Sequence, residues 1–320
     1  MSSPSIPPRI PLILDCDTGI DDALALFYGA AHGAEYVACT VTHGNVPVDV
    51  GTRNTLTILE ALGLPEVPVF TGAARPLAQP LMTAEFVHGQ DGLGDAGVTP
   101  STRVAGDLAA VEIVRLARER PGELTLVPVG PLTNIALALM LEPRLPELVR
   151  QVVVMGGAVG APGNSSELGE ANVWHDPEAA ALVVEAPWDV LFVGLETTMR
   201  TALPQAAIER IAATEHPIGR LAWRIMQHYL DVYEKELGVR SCVLHDPLAL
   251  ALALDPSLAT YRTVKAYVDT GTSRSRGAIV GDLRGYRGSG ADPAAPGTVR
   301  IVDELDIETF HERFLQALGA

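Results

Sequence analysis

The stretch LILDCDTGIDDALAL, residues 12–26, joins an apolar run to a helical pattern through a turn that contains four aspartates. On a strand, residues two apart point the same way, so Asp15 and Asp17 are predicted to project together. Asp21 and Asp22 fall in the first turn of the following helix, where the positive helix end favours one or two carboxylates. Four carboxylates within eight residues repel one another in a partly dry crevice unless a cation neutralises them. Because hard cations prefer carboxylate oxygens, we interpret the turn as part of a Ca²⁺ or Mg²⁺ site.

Apolar runs alternate with helical patterns through most of the chain. Buried parallel strands read as continuous runs of Val, Ile and Leu, and the alternation implies right-handed crossover helices on both faces of a sheet. We therefore predict an α/β fold with a mainly parallel sheet, and we find no linker that divides residues 1–320. The predicted strands are 11–16, 34–41, 67–70, 123–129, 151–157 and 189–194, and the predicted helices are 21–32, 50–62, 105–119, 131–140 and 176–185.

Polar or glycine-rich segments follow several of these strands. In parallel sheets, ligands bind beyond the carboxyl ends of the strands, so we expect the functional residues there. Two long segments rich in Gly and Pro, 72–103 and 157–175, exceed ordinary connections and suggest functional loops. After residue 254 the pattern changes to short alternating stretches at 263–270, 276–283 and 297–305, followed by a closing helix near 306–318.

Composition excludes several classes of partner. The formal net charge is −16 and 48% of the residues are hydrophobic, so a sizeable core is expected and a polyanionic partner is not. Three widely spaced cysteines, Cys16, Cys39 and Cys242, form neither a disulfide framework nor a CxxC metal site. The N-terminus lacks the pattern of a secretory signal, and no apolar run reaches about 18 residues. We expect a cytoplasmic protein that binds neither nucleic acid nor membrane.

A haloacid-dehalogenase-like phosphohydrolase is the natural competitor for a DxD turn. Such an enzyme uses the first aspartate as nucleophile and needs a downstream cation on its aspartyl-phosphate intermediate. The two lysines, Lys235 in a helical pattern and Lys265 in a strand-like run, are poorly placed for that task. The order DTG followed by DD also differs from the DxDGT pattern. A metal-dependent phosphohydrolase remains the alternative.

Eight segments in order resemble the inosine-uridine-preferring nucleoside hydrolases. The segments are DCDTGIDDALAL, THGN, VHGQDGLG, LVPVGPLTNIA, VVVMGG, GNSSELGEANVWHDPEAA, VGLETT and VLHDP, and they extend over most of the chain. The resemblance implies a Ca²⁺-dependent N-ribohydrolase on a Rossmann-like open sheet, which cleaves a ribonucleoside to free base and ribose. It also implies a homodimer or homotetramer.

The resemblance carries a set of site residues onto this sequence. Asp17, Asp22 and Asp246 match calcium ligands, and Val129 matches a ligand that uses its backbone carbonyl. The residues matched to the ribose 2′- and 3′-hydroxyls are Asp21, Asn45, Asn172 and Asp246. Those matched to the 5′-hydroxyl end are Asn164 and Glu170, and Met155 matches a residue that lines the ribose pocket.

Ribosidic C–N cleavage explains why such residues are needed. The sugar becomes oxocarbenium-like, anionic surroundings stabilise it, and water arrives on the face opposite the base. Asp17 is expected to act as general base for a calcium-bound water whose pKa the metal lowers. His245 matches the candidate acid of the histidine-bearing subgroup. His88 and Tyr233 match residues near the base, although a loop histidine and a helical tyrosine are equally compatible with solvent and core positions.

Two local features leave alternatives open. The tripeptide HDP occurs at 175–177 and at 245–247, and each copy is a credible helix start with Asp as N-cap and Pro at the first helical position. Only the resemblance makes the second copy catalytic, and we expect His175 to be structural. At residue 171 an alanine replaces the aromatic that the family commonly has, which leaves the substrate range open. Uridine-like substrates are slightly favoured by the segment LVPVGPLTN, and a non-catalytic nucleoside-binding protein is the third class of function.

Overall fold

The computed structural model describes residues 9–284 and 292–320, in which strands and helices alternate as predicted. The strands are β1 Ile10–Cys16, β2 Ala34–Val41, β3 Val69–Thr71, β4 Thr125–Pro128, β5 Gln151–Met155, β6 Val190–Val193, β7 Ala259–Val268, β8 Ile279–Gly281 and β9 Thr298–Leu305. The α-helices are α1 Ile20–Ala31, α2 Val48–Ala61, α3 Glu85–His88, α4 Ala109–Glu119, α5 Thr133–Leu141, α6 Leu145–Leu148, α7 Ala171–His175, α8 Pro177–Glu185, α9 Leu195–Thr198, α10 Gln205–Ala213, α11 Pro217–Leu237, α12 His245–Leu254 and α13 Ile307–Ala317. Short 3-10 helices cover Met199–Thr201 and Pro256–Leu258.

All nine strands described here belong to one sheet, in the order β3-β2-β1-β4-β5-β6-β9-β7-β8. The pairs from β3 through β9 are parallel, whereas β7 pairs antiparallel with both β9 and β8. In β1, Asp15 lies opposite Thr40 of β2 and Pro128 of β4. The prediction of a mainly parallel sheet is confirmed, and the carboxyl ends of β1, β2, β4 and β5 meet at one edge.

Helices cover both faces of the sheet, because alternate strand residues enter two separate hydrophobic clusters. On β1, Leu12 and Leu14 pack with α1, α12 and α13, whereas Ile13 packs with α4, α5 and α8. Full burial of each such side chain typically stabilises a fold by about 1.5–3 kcal/mol. The continuous apolar runs of the sequence are therefore explained by burial on both sides.

Close packing of α1 against α12 brings together parts of the chain that are far apart in sequence. Gly29 permits this approach, since a Cβ there would lie 2.7 Å from Leu250 Cδ2 and 2.1 Å from the hydroxyl oxygen of Tyr36. The N-terminus of α12 consequently lies beside that of α1, which is where the carboxylate-rich turn is found.

The boundaries differ from the predictions mainly at helix starts and in the long loops. The helix predicted over 105–119 begins at Ala109, because Leu108 has a φ of 63° and Gly106 pairs with Phe70 beside β3. The predicted loops 72–103 and 157–175 contain the short helices α3 and α7. Across the two described ranges, no helix combines the length and the apolar character needed to cross a membrane. Residues 1–8, part of the segment in which we predict no secretory signal, lie outside those ranges.

Candidate active site

The turn between β1 and α1 is organised around Asp22. Its Oδ1 accepts a hydrogen bond from the backbone N–H of Asp17 at 3.1 Å, and its Oδ2 accepts one from Gly19 at 2.9 Å. The side-chain amide of Asn45, which follows β2, donates to the same Oδ2 at 3.0 Å. The helix-start interpretation is thus correct for Asp22. The same contacts fix its carboxylate at the carboxyl end of the sheet.

Asp17 is fully buried and is held at only one of its two oxygens. Oδ2 accepts the backbone N–H of Asn45 at 2.6 Å, while Oδ1 has no hydrogen-bond partner among the described residues. Glycines surround the carboxylate closely, since a Cβ at Gly44 would lie 2.0 Å from Oδ2 and one at Gly130 would lie 2.8 Å from Oδ1. Burial and the charge of Asp22 raise the pKa of Asp17 well above its usual range.

Asp15 has a different environment from the other aspartates of the turn. Its Oδ1 accepts hydrogen bonds from the Thr40 hydroxyl at 2.6 Å and from the Asn134 side-chain amide at 2.8 Å. Asn134 also donates to the backbone carbonyl of Val41. Asp15 therefore connects β1 to β2 and to α5 through hydrogen bonds of its Oδ1.

One oxygen from each of Asp21, Asp22 and Asp246 lies within 4.8 Å of the others, and all three residues are buried. Asp21 Oδ1 and Asp246 Oδ2 have no hydrogen-bond partner in the described part of the chain. Burial raises the pKa of Asp21 and of Asp22 to about 6, with the charge of Asp21 contributing to the second. Burial and the neighbouring carboxylates raise that of Asp246 well above its usual range. Two of the three carboxylates thus have an oxygen without a protein donor, and hard dications prefer carboxylate oxygens, so this cluster could bind a metal.

The raised pKa values predict how stability depends on pH when no metal is bound. Because the folded pKa of Asp21 and Asp22, about 6, exceeds the ordinary value of 3.8, the folded state binds more protons between these values. Their contribution to stability is therefore complete below about pH 4 and is lost as the pH rises through about 6. In the presence of a chelator, we expect Asp21→Asn to make the thermal midpoint fall less steeply between about pH 4 and 7. Equal slopes for the variant and the parent would contradict this account.

The two HDP segments play different structural parts. Asp176 is the N-cap of α8, since its carboxylate accepts the backbone N–H of Ala179 at 3.1 Å. In the second copy the prediction of an Asp N-cap is wrong, because α12 begins at His245 and has no side-chain cap. Because the carboxylate of Asp246 does not cap the helix, it can lie close to the carboxylates of Asp21 and Asp22. Local sequence could not separate the two copies because both have the same capping signal.

A cavity of about 300 Å³ opens beside the aspartate cluster. Asp17 and Asp22 do not line it. The predicted site residues that line it are Asp21, Asn45, His88, Val129, Met155, Asn164, Glu170, Asn172, Tyr233, His245 and Asp246. Residues from eight separate parts of the chain are thus brought to one place. The volume is at the lower end of the range of small-molecule sites.

One side of the cavity is built around Glu170, the N-cap of α7. Its carboxylate accepts backbone N–H groups from Asn172, Val173 and Gly157 at 2.9, 3.2 and 2.8 Å. Burial raises the pKa of Glu170 to about 7 despite these donors. The side-chain amide of Asn172 donates to the carbonyl oxygens of Val129 at 2.8 Å and Met155 at 3.1 Å. Asn172 therefore connects α7 to the ends of β4 and β5.

The opposite side carries a line of hydroxyl groups and an imidazole. His245 Nε2 is 2.7 Å from the Tyr233 hydroxyl, and Nδ1 is 2.8 Å from the Thr198 hydroxyl. Tyr233 contacts the hydroxyl of Tyr229 at 3.5 Å, and Tyr229 donates to Asp21 Oδ2 at 3.2 Å. Burial, with a smaller effect of the charge of His88, lowers the pKa of His245 to about 3. The imidazole is thus neutral near pH 7 and bonded on both nitrogens.

His88 lies between the two sides. Its Nδ1 accepts the backbone N–H of Ile20 at 3.2 Å and is 3.7 Å from Asp21 Oδ1. Burial lowers the pKa of His88 to about 4, so the ring is neutral and its Nδ1 carries no proton. The sequence left His88 between a solvent-exposed loop position and a position near the base. The structure buries His88 and places it in the cavity wall, and Tyr233 also lines the cavity.

Sequence reasoning missed two residues that line the cavity, Tyr229 and His175, and one that holds the His245 ring, Thr198. Tyr229 precedes Tyr233 by one helical turn on α11, a spacing that the amphipathic pattern of 221–237 could have revealed. Thr198 lies within VGLETT but carries no chemical signal of its own. His175, expected to be structural, lines the cavity. Thr198 and His175 reach the site because segments distant in sequence pack together, and the local sequence pattern does not encode that packing.

Comparison with known proteins places the chain. A family model described as inosine-uridine preferring nucleoside hydrolase matches residues 12–312. The chain belongs to this family. It is therefore a nucleoside hydrolase, an enzyme that cleaves N-glycosidic bonds.

Individual relatives extend over nearly the whole hydrolase. An inosine-uridine preferring nucleoside hydrolase of Leishmania major is 37% identical over 279 residues, covering 85% of this chain and 88% of the relative. A pyrimidine-specific ribonucleoside hydrolase of Shewanella woodyi is 37% identical over 313 residues, covering 96% and 97%. Among solved structures, a plant nucleoside hydrolase has a TM-score of 0.91 at 30% identity and covers 98% of this chain and 100% of its own.

Proposed function

We propose that the enzyme carries out Ca²⁺-dependent hydrolysis of purine or pyrimidine ribonucleosides to free base and ribose, for nucleoside salvage. One observation carries the proposal: the buried cluster of Asp21, Asp22 and Asp246 lies beside a cavity that also contains the His245–Tyr233 pair. A metal-binding group and a proton-carrying group in one small cavity are what hydrolysis of a glycosidic bond needs.

The residues proposed to hold calcium are Asp17, Asp22, Asp246 and the carbonyl of Val129. The unpartnered Oδ2 of Asp246 supports this assignment, because it is a buried carboxylate oxygen with no hydrogen-bond donor among the described residues. Bound calcium would lower the pKa of a water molecule and orient the ribose hydroxyls. Asp21 differs from the three aspartates in receiving a hydrogen bond from Tyr229, which fits its proposed role as a ribose contact.

Ribose is proposed to bind between the aspartate cluster and α7. The 2′- and 3′-hydroxyls are assigned to Asp21, Asn45, Asn172 and Asp246, and the 5′-hydroxyl end to Asn164 and Glu170. Met155 packs beside the sugar, where its Sδ is 3.3 Å from Asn172 Nδ2. As the C–N bond lengthens, the sugar gains positive charge, and these carboxylates stabilise that charge in the transition state.

Asp17 is proposed as the general base that accepts a proton from the attacking water. Its Oδ1 is the one carboxylate oxygen of the residue without a donor, and the backbone of Asn45 fixes the other oxygen. A carboxylate held at a single oxygen keeps its orientation while the second oxygen is available for the proton.

The leaving base is proposed to receive its proton through His245 and Tyr233, as in the histidine-bearing subgroup. Because the imidazole is neutral, we assign it a relay role and not that of an imidazolium acid. The leaving base takes the proton of the Tyr233 hydroxyl as that hydroxyl takes one from His245 Nε2, 2.7 Å away, and water that enters as the base departs returns the proton to the ring. Thr198 fixes the ring from the other nitrogen. His88 is proposed to contact the base or the sugar from the side of Asp21.

His245→Ala is expected to lower kcat/KM for uridine or inosine by about 10²–10³-fold, because a positioned proton donor typically contributes 10²–10⁴-fold. A nitrophenyl riboside should lose less than about 10-fold, since its leaving group needs no proton. Steady-state kinetics on both substrates measures the difference. Thr198→Val, which removes one ring contact and keeps the imidazole, is the matched control. Its kcat/KM should fall less than that of His245→Ala, and again more for the nucleoside than for the nitrophenyl riboside. Equal losses on both substrates would remove His245 from leaving-group activation.

A reducing-sugar assay with uridine, inosine, adenosine and cytidine tests the proposed reaction. Release of ribose from at least one of them is expected, and release from none would overturn the proposal. Phosphate release from a phosphoester would instead support the metal-dependent phosphohydrolase. The assay includes both purine and pyrimidine nucleosides because two relatives, one named inosine-uridine preferring and one named pyrimidine-specific, each share 37% sequence identity with this chain.

We further propose a single domain that assembles as a homodimer or homotetramer, as the family resemblance implies. Light scattering coupled to gel filtration measures the assembly, and a monomer of 33.8 kDa would contradict it.

A further inference from the structure

Helix α7 brings a second histidine to the cavity. His175 lines the cavity and is 5% exposed. Neither ring nitrogen has a hydrogen-bond partner in the described parts of the chain, and Nδ1 is shielded from solvent. Because Nδ1 is enclosed by protein, Nε2 is the ring nitrogen that a ligand in the cavity can reach. A polar group of the ligand would restore to Nε2 the hydrogen bond that water gave it in the unfolded chain.

Ala171 and His175 lie on the same face of α7. They are four residues apart, so their side chains are neighbours on the helix surface, and both line the cavity. The backbone N–H of Ala171 donates to Asn164 Oδ1 at 2.9 Å. Asn164, Ala171 and His175 therefore form a continuous part of the cavity wall, in which the side chain of Ala171 is the shortest.

The end of α7 is fixed by contacts outside the cavity. Gln79 Nε2 donates to the carbonyl oxygens of both Trp174 and His175 at 2.8 Å, and Arg276 in turn binds Gln79 Oε1. The following residue, Asp176, caps α8. These hydrogen bonds fix the C-terminal end of α7 and so the position of His175, and a fixed position is needed for a residue that discriminates between ligands.

The protonation state of His175 decides whether its ring can form an ion pair or only neutral hydrogen bonds. Burial, with a smaller effect of the charge of His88, lowers the pKa of His175 to about 4. A neutral imidazole offers one donor and one acceptor, which matches a hydroxyl group and not an anion.

We propose that His175 determines specificity by hydrogen-bonding the 5′-hydroxyl end of the bound ribonucleoside. This inference rests on the proposed function, because Asn164 and Glu170, which adjoin Ala171, are the residues assigned to that end. Glu170 already accepts three backbone N–H groups, and Asn164 Oδ1 accepts one, so His175 adds a polar contact whose nitrogens are not committed elsewhere.

The test compares uridine or inosine with the 5′-deoxy nucleoside of the same base, using the parent enzyme and His175→Phe. We expect kcat/KM for the ribonucleoside to fall roughly 3- to 10-fold, the effect of one lost neutral hydrogen bond. The 5′-deoxy nucleoside should change by less than about 2-fold. His175→Gln, which keeps a side-chain donor and acceptor, should restore much of the discrimination. Should His175→Phe fail to fold, Ala171→Phe enlarges the side chain beside Asn164 and should lower discrimination in the same direction.

Equal losses on both nucleosides, or no loss on either, would overturn the inference and leave the proposed function intact. Failure of the proposed function gives a different result, namely no ribose release by the parent enzyme from any nucleoside. In that case, calorimetric binding of the same nucleoside pair to the parent and His175→Phe supplies the comparison. Loss of preference for the 5′-hydroxyl supports the role of His175, and an unchanged preference removes it.

Discussion

Asp17→Asn is expected to lower kcat by about 10²–10⁴-fold with a much smaller change in the thermal midpoint. The amide retains an oxygen that can accept the N–H of Asn45, at present bonded at 2.6 Å, so the turn keeps its shape. What is lost is the basic oxygen and one negative charge beside Asp22. Single-turnover kinetics with a nitrophenyl riboside measures the loss without a contribution from product release.

Asp15→Asn is the matched control for that experiment. It makes the same chemical change two residues away, at a carboxylate whose Oδ1 is already held by the Thr40 hydroxyl and the Asn134 amide, whereas Oδ1 of Asp17 has no donor among the described residues. We expect lower stability but a kcat within about 10-fold of the parent. An Asp17→Asn enzyme with near-full rate would assign the general base to another residue, and an equal loss in both variants would reduce Asp17 to a structural role.

Removal of bound metal is expected to abolish ribose release, and calcium is expected to restore it. At a free calcium concentration of about 1,000 times Kd, binding contributes about 4 kcal/mol to stability, which corresponds to a rise of about 5–10 °C in the thermal midpoint. The rise has a physical cause in the structure, because the dication compensates the mutual repulsion of Asp21, Asp22 and Asp246. Differential scanning calorimetry after dialysis against chelator, with and without added calcium, measures it.

Asp246→Asn should reduce the calcium-induced rise, whereas Asp176→Asn should leave it unchanged. Asp176 is the aspartate of the other HDP segment, caps α8 and is absent from the cluster, so it controls for the loss of a buried aspartate before proline. A calcium-induced rise of the same size in Asp246→Asn would argue against calcium at this cluster. Activity that survives complete removal of metal would argue against the calcium-dependent mechanism.

The part of the fold that the sequence predicts is the part encoded in local pattern. Continuous apolar runs predict buried parallel strands, and the four aspartates after the first run predict a charged turn at the carboxyl end of β1; both are confirmed. The helix at 109–119 starts late because Leu108 adopts a left-handed conformation, for which its side chain gives no signal. Local rules therefore predict element type better than element ends.

In the candidate site, too, some residues are recognisable from local sequence and others only from tertiary packing. Asp21 and Asp22 are recognisable from their crowding, but their meeting with Asp246 depends on the packing of α1 against α12. Capping rules give the wrong role for Asp246, since the helix there starts without a side-chain cap. The helical spacing of Tyr229 and Tyr233 is present in the sequence, whereas the role of Thr198 is recognisable only from its contact with His245 in the folded chain.

The contact between α1 and α12 has a mechanical consequence. Asp22 and Asp246 are separated by 224 positions in sequence (246 − 22), and they meet at the point where these two helices begin. An ion shared by the two carboxylates would act as a reversible cross-link that closes this long loop, much as a disulfide does, although it can open without redox chemistry. Because both helices would have to separate before the link opens, calcium should slow unfolding more than it accelerates folding. Asp22 and Asp246, proposed as calcium ligands for the reaction, would then also hold the N-termini of α1 and α12 together when the ion is bound.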